Sequence, residues 1–428
     1  MEQAEVIRFA GDIAIDTAEV ISANGFSQNV TAQVAGIEIY EDMFSPFITG
    51  VIGIRDSQDL TNLFPFVGEE YINLSIHTPT FEGRDKVIKD QFYIYKVTNR
   101  IQTNTRSTVY ELHFFSREAL VDVNKKISKS YQGKISDIAN TLLTDKYAGL
   151  ETIKPVLIEE TINSTKFISN YWSPVTSLNY ILDRAKNAKG NPSYLFFENR
   201  RGFNFISTKT LYNQDIVQTF IQDENLRDFR SDGSSMRNIE KEYKRIIDIN
   251  VPTVFDYLDN IISGKFGSKQ ISYDLVTKKY KVNTYNMFES FENDDHLNKF
   301  ASASQNVVSR SSALVLRATD HWGSYNGIID ATNSASSQHR ISIMKQLEST
   351  IVEITVPGRT DYTVGDKIYM DITKLEQITK KDIDITDKIL SGNYIISAIH
   401  HNITRDSHEC KLELIKDTFL MDLDKDGT

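Results

Sequence analysis

Chemistry in this chain has few places to come from. His400, His401, His408 and Cys410 are its densest set of metal-ligating side chains, and mixed histidine and cysteine ligands suit a tetrahedral zinc ion. Successive residues of a strand point to opposite faces, so His400 and His401 on a hairpin strand cannot both turn toward one ion. On that ground the four are read as ordinary sheet residues, and neither a metal nor a cofactor is assigned. The adjacent carboxylates Glu69-Glu70, Glu159-Glu160 and Asp294-Asp295 show no spacing that would set them on opposite walls of a cleft, so each pair is read as solvated surface. Asp422-Leu-Asp-Lys-Asp-Gly427 opens like a calcium loop, but the sequence runs out before the bidentate glutamate that closes one; residues 417–428 are read as a flexible acidic tail. Gly264-Lys-Phe-Gly-Ser-Lys269 lacks the spacing that wraps backbone N–H groups around a phosphate and reads as a turn.

Wider searches find no catalytic signature. There is no Gly-x-Ser-x-Gly elbow, no Gly-Lys-Ser/Thr phosphate loop and no His-Glu-x-x-His helix, so no enzyme is expected. Cys410 is the only cysteine, which rules out an intrachain disulfide and a multi-cysteine metal site. With 58 acidic against 48 basic side chains the formal charge is -10, which argues against tight binding of nucleic acid. No apolar run approaches membrane-spanning length, and the start MEQAEVIRFAGD has no basic or apolar leader region, so synthesis in the cytoplasm is expected.

The elements that must carry these residues are mostly strands. Alternating apolar and polar residues predict strands over 47–54, 71–76, 92–97 and 108–115, an antiparallel β domain spanning 1–116. Helical spacing takes over after Arg117. Ser173-Pro174-Val175 marks a helix start, with Ser173 as cap and Pro174 in the first turn. Beyond Gly190, Tyr194 to Phe197 and Phe203 to Ile206 flank a Gly-containing turn as a hairpin, completing an α/β domain over 117–237. Strand patterning returns over 240–285, with Tyr243 to Ile249 and Ile271 to Tyr273 as candidates. An Asn-, Ser- and Asp-rich stretch over 286–337 reads as an insertion or arm, and a helix over 337–347 leads into final strands ending near Leu414.

The last β segment repeats the first. Val67-Gly68 opens a strand carrying Ile72, Leu74 and Ile76, while Val364-Gly365 opens one carrying Ile368, Met370 and Ile372. A variable loop follows each, then Phe92-Tyr-Ile-Tyr or Asn393-Tyr-Ile-Ile, then a hairpin whose return strand starts at Ser107 or Ser407 and carries Leu112 and Phe114 or Leu412 and Leu414. Four features in one order point to divergent duplication, with 238–285 and 338–416 forming the second β domain. Gly68 and Gly365 are assigned to tight turns as structural residues.

In this order, the β domain, the Trp172-Ser-Pro174 helix start, the helix of Leu178 to Gly190, the hairpin of Leu195 to Ile206, Asn306-Val-Val-Ser-Arg310 and the two Val-Gly strands resemble the central baseplate hub of contractile, T-even-type phages. The resemblance implies an α+β, β-rich multidomain fold with two related antiparallel tube domains, an α/β domain between them and an inserted arm. It implies a non-enzymatic homotrimer in the virion tail baseplate, adapting a six-fold tail tube to a trimeric tail spike around a channel that passes DNA without specific binding. A type VI secretion or related injection-system hub is a second reading, set back because such proteins continue into a β-helical needle. A carbohydrate-active or host-binding tail protein is a third.

Overall fold

The computed structural model describes residues 7–58, 60, 66–79, 86–104, 107–222, 228–229, 235–236, 238–274, 278–308, 314–320, 334–374, 386–405 and 407–425. Ser309 and Arg310 of the Asn306–Arg310 motif lie outside them.

The amino-terminal unit consists of β1 (Ala14–Ile21), β2 (Val34–Asp42), β3 (Thr49–Asp56), β4 (Tyr71–His77), β5 (Val87–Asn104) and β6 (Ser107–Ser116). Their two-residue alternation makes one face apolar: in β4, Ile72, Leu74 and Ile76 are buried while Asn73 and Ser75 are half-buried. Arg117 then starts α1 (Arg117–Asn124), followed by β7 (Ile127–Lys134), α2 (Ile135–Thr144), β8 (Val156–Ile158), β9 (Ser164–Trp172), α3 (Pro174–Leu182), β10 (Tyr194–Asn199) and β11 (Gly202–Ser207). At α3 the Ser173 hydroxyl accepts a hydrogen bond from Thr176 N at 3.2 Å, with Pro174 in the first turn.

Every residue of the two strands β10 and β11 is buried. Tyr194, Phe196, Phe203 and Phe205 face a core shared with α2 and α3, whereas Leu195, Phe197 and Ile206 face the core of the second β unit. Burial on both sides explains why Tyr194-Leu-Phe-Phe197 is continuously apolar rather than alternating.

The second unit uses β12 (Gln218–Ile221) and β13 (Asp248–Thr253). Then β14 (Gly267–Asp274), β15 (Tyr280–Asn286), β16 (Leu314–Asp320) and α4 (Ser334–Leu347) intervene. It finishes with β17 (Thr350–Pro357), β18 (Lys367–Asp371), β19 (Gly392–Thr404) and β20 (His408–Lys416). Its strand order is β13-β17-β20-β19-β18-β12, and that of the first unit is β2-β3-β6-β5-β4-β1. Read along the chain, the six positions correspond one to one. Even the irregularity repeats. Between the pairs Ile94↔Phe114 and Lys96↔His113 the first unit carries a bulge, and between Ile396↔Leu414 and Ala398↔Glu413 the second carries the same one. The units differ at one edge: β1 runs antiparallel to β4, but β12 runs parallel to β18.

Strand pairing divides the chain differently from the sequence pattern. The segment 117–237 includes β12, which pairs with β18 and so belongs to the second sheet. Within 238–285, β14 and the greater part of β15 do not join that sheet; with β16 they form a separate three-stranded one. The inserted material therefore follows β13 directly instead of starting at Asn286. Alternation identifies a strand but not its neighbour. Tyr243 to Ile249 is also less regular than expected, a short helix Ile239–Glu242 and a turn preceding β13.

Both turn glycines have left-handed backbone angles, with φ of 96° at Gly68 and 89° at Gly365. A Cβ at Gly68 would meet nothing within 4 Å, but one at Gly365 would stand 3.1 Å from the Phe197 ring. Gly68→Ala should therefore cost about 1 kcal/mol, the backbone strain alone. Gly365→Val should cost more, because the buried hairpin must shift as well. Equal effects on chemical-denaturation midpoints would refute this difference.

Candidate functional site

The site to which most of the molecule contributes is the seam between the two β units. There β2 of the first pairs antiparallel with β19 of the second, from Ala398↔Asp42 to Thr404↔Gly36, fusing the units into one thirteen-stranded sheet. On its solvent face Tyr40 and His400 stack at a ring separation of 4.5 Å. On its buried face lie Ile37, Ile39, Ile399 and Ile403, together with two ionisable groups, Glu41 and His401.

Glu41 is 2% exposed and is held from several sides. It accepts hydrogen bonds from the backbone N–H groups of Arg200 and Val364, each at 3.3 Å, and from the Thr363 hydroxyl. Its other oxygen stands 3.7 Å from His401 Nε2. Burial alone would raise its pKa, but His401 and Thr363 outweigh burial and hold it below the usual carboxylate range. The β10–β11 turn presses against the same place. Asn199 Nδ2 donates to Val364 O at 3.0 Å, and Arg201 makes a two-pronged bond to buried Asp366 at 2.6 and 3.0 Å.

A second charged junction ties the middle domain to the first unit. Lys154 Nζ lies 2.5 Å from Asp90 and 2.6 Å from Glu198, with Glu118 at 3.8 Å. Glu198 also accepts from Ile48 N at 2.9 Å. Burial disfavours the ammonium, yet the three carboxylates outweigh it and raise the Lys154 pKa.

The sequence candidates fall into place around these junctions. His400 does point away from His401, but His401, His408 and Cys410 share the buried face and converge: Nδ1 of His401 and Nε2 of His408 are 3.0 Å apart, and each is 3.3 Å from Cys410 Sγ. The divergence of one pair had concealed the agreement of the other three. Burial would raise the Cys410 thiol, but the two imidazoles bring it down to about 5. His401, lowered by burial, is raised to about 9 chiefly by Cys410 and then by Glu41.

The carboxylate pairs are not simply solvated. Glu70 is 1% exposed and accepts from Val67 N at 3.0 Å and Gly68 N at 2.8 Å, fixing the Val-Gly turn. Glu159 accepts from Ser207 N at 2.7 Å and from Thr210 Oγ1 at 2.6 Å. Asp294 faces His339 at 2.9 Å and Asp295 faces Lys189 at 2.9 Å. Only Glu69 and Glu160 are exposed, as alternation along a strand or turn allows.

The expected acidic tail is partly docked. Asp417 is buried and accepts from Leu297 N, and Thr418–Phe419 pairs with Phe300–Ala301; Asp426 and Gly427 of the calcium-like motif lie outside the described residues. Gly264 does form a turn, with φ of 82°. Beside it Lys265 is buried and donates to Ser349 Oγ at 2.6 Å, and burial brings its pKa down to about 8.

The solvent face of the second sheet is acidic. Asp42, Asp248, Glu353, Glu409 and Glu413 share it with Lys411 and His400. Among the described residues no helix is long and apolar enough to cross a membrane.

The overall fold is similar to that of solved tail proteins. The chain superposes on the tail protein from Neisseria meningitidis MC58 with a TM-score of 0.53 and 12% identity, covering 94% of this chain and 96% of that one. With the 43 kDa tail protein of prophage MuSo2 from Shewanella oneidensis the TM-score is 0.53 at 9% identity, covering 94% and 99%. In sequence it is a relative, across 92% of each chain, of the probable baseplate hub protein gp334 of Vibrio phage KVP40, at 22% identity over 411 residues. No family model matches it.

The Lys154 junction gives a direct test. Lys154→Met leaves Glu198 and Glu118 buried without their cation, and should cost about 3–5 kcal/mol. Adding Glu198→Gln should recover part of that loss, because the uncompensated charge goes with it. Denaturant melts of the two variants check this, and a double variant no more stable than Lys154→Met would contradict the charge account.

Proposed function

We propose that this chain is the structural hub subunit of a contractile phage tail baseplate, non-enzymatic, and assembled as a homotrimer that adapts a six-fold tail tube to a three-fold spike around a DNA channel. Support comes from its end-to-end similarity to a baseplate hub protein, the shared tail-protein fold and the two-unit repeat. Six units from three subunits would meet a six-fold tube unit for unit.

One observation carries the assembly. The seam is made by β2 of the first unit lying along the distal half of β19, beyond the bulge. The corresponding half of β5, from Lys96 onward, pairs with β6 on one side, and among the described residues no strand lies on the other. The counterpart of β2 is β13, which pairs with β17 alone and forms the far edge of the sheet. Repeating the seam between subunits would lay β13 of one against β5 of the next. Such head-to-tail contacts close into a ring when the rotation permits, and a closed ring leaves no unpaired edge of this kind. The acidic solvent face then suits a bore that must not hold phosphate, since a basic lining would gain affinity by releasing counterions.

Ile101 lies on that free half of β5 and is 61% exposed. Ile101→Asp should leave the thermal melt of the isolated chain within about 0.5 kcal/mol of the parent, as exposed substitutions do, while reducing trimer formed with spike and tube proteins as read by light scattering. Undiminished trimer would refute the edge assignment, and a parent chain that stays monomeric with both proteins would refute the hub itself. Duplex affinity measured across a salt series should remain weak for the trimer.

A further inference from the structure

We propose that His401, His408 and Cys410 form a zinc site at the seam. The three potential ligand atoms make a triangle with edges of 3.0, 3.3 and 3.3 Å, and all three residues are buried. Its vertices lie about 1.9 Å from its centre, so an ion raised about 1 Å out of the plane meets zinc's usual distances of ~2.0–2.1 Å to nitrogen and ~2.3 Å to sulfur. The fourth, tetrahedral position points out of the triangle.

Protons satisfy this arrangement less completely than a metal does. A ring nitrogen has a single in-plane direction, which can donate one hydrogen bond or accept one. Two of the three contacts can therefore be well-formed hydrogen bonds, both to sulfur, leaving the 3.0 Å approach of the two nitrogens unbonded. A cation uses all three directions at once. The set of two imidazoles and one thiolate favours zinc over hard ions such as magnesium or calcium.

The Glu41 carboxylate stands 3.7 Å from His401 Nε2, too far for a hydrogen bond but near enough for its charge to favour the proton on that nitrogen, which leaves the Nδ1 lone pair facing the triangle. His408 lies against Gly358, where an added Cβ would stand 2.2 Å from the ring. In the first unit the positions equivalent to His408 and Cys410, four and two residues before Leu112, are Thr108 and Tyr110. The cluster is thus particular to the second unit and is no requirement of the repeated fold. A metal here would clamp the β19–β20 hairpin where it meets β2.

The full-length chain, incubated with zinc and dialysed, should retain one zinc per chain by elemental mass spectrometry. Replacement by cobalt should give an intense near-ultraviolet thiolate-to-cobalt band, and a strong chelator should lower the melting temperature. Cys410→Ser and His408→Gln should each abolish stoichiometric retention. If either variant fails to fold, the cobalt band of the parent chain decides, because it reports the chain's only thiol directly. Absence of stoichiometric zinc and of that band in the parent, or zinc retained undiminished by folded Cys410→Ser, would overturn the proposal.

Discussion

The structure depends on a carboxylate buried where the two β units meet. Glu41 sits on the strand that crosses from the first β unit to the second, and its hydrogen-bond partners come from the middle domain and from the Val-Gly turn of the second unit. A buried charge of this kind adds little net stability when satisfied and is costly when it is not. Its effect is therefore on geometry: a slip of β2 by one residue along β19 would turn Glu41 to solvent and bring Tyr40 inward, while His401 stays on the buried face through its pairing with Cys410. Apolar residues alone would tolerate more sliding than this set does.

Duplication explains why such a seam exists at all. Each unit has a half-strand beyond its bulge, and within the chain the first unit supplies the neighbour to that of the second. The inserted three-stranded sheet enters at the β13–β17 connection, which corresponds to the short β2–β3 connection of the first unit, residues 43–48. Long additions at such connections cost little loop entropy. The two copies can thus keep one strand order while differing greatly in length.

Much of this was legible in the sequence because it is local. Alternation located the strands, Ser173 and Pro174 located a helix start, and the Val-Gly turns disclosed the repeat. Partnership between strands was not legible: Gln218–Ile221 is four residues long, and nothing in them names β18 as their neighbour. The charged junctions were equally hidden, since Lys154, Glu198 and Glu41 look like surface residues until the fold surrounds them. The clustered histidines carried a usable signal. Residues 408 and 410 share a face by spacing alone, and testing every triple, not only the pair 400 and 401, would have brought His401 into register with them.

Charge is sorted by the same alternation that sorts hydrophobicity. In β20, Glu409, Lys411 and Glu413 face solvent while His408, Cys410 and Leu412 face the core. Each inward ionisable group answers to a partner on another element, whereas the outward ones meet solvent and neighbours along the sheet, as Glu413 meets Ser397 and Glu353 meets Asn250. A sheet that must fix its neighbours on one side and meet solvent on the other has to separate these demands by face. Period-two alternation does so without any additional element, and this makes a single continuous sheet sufficient for both.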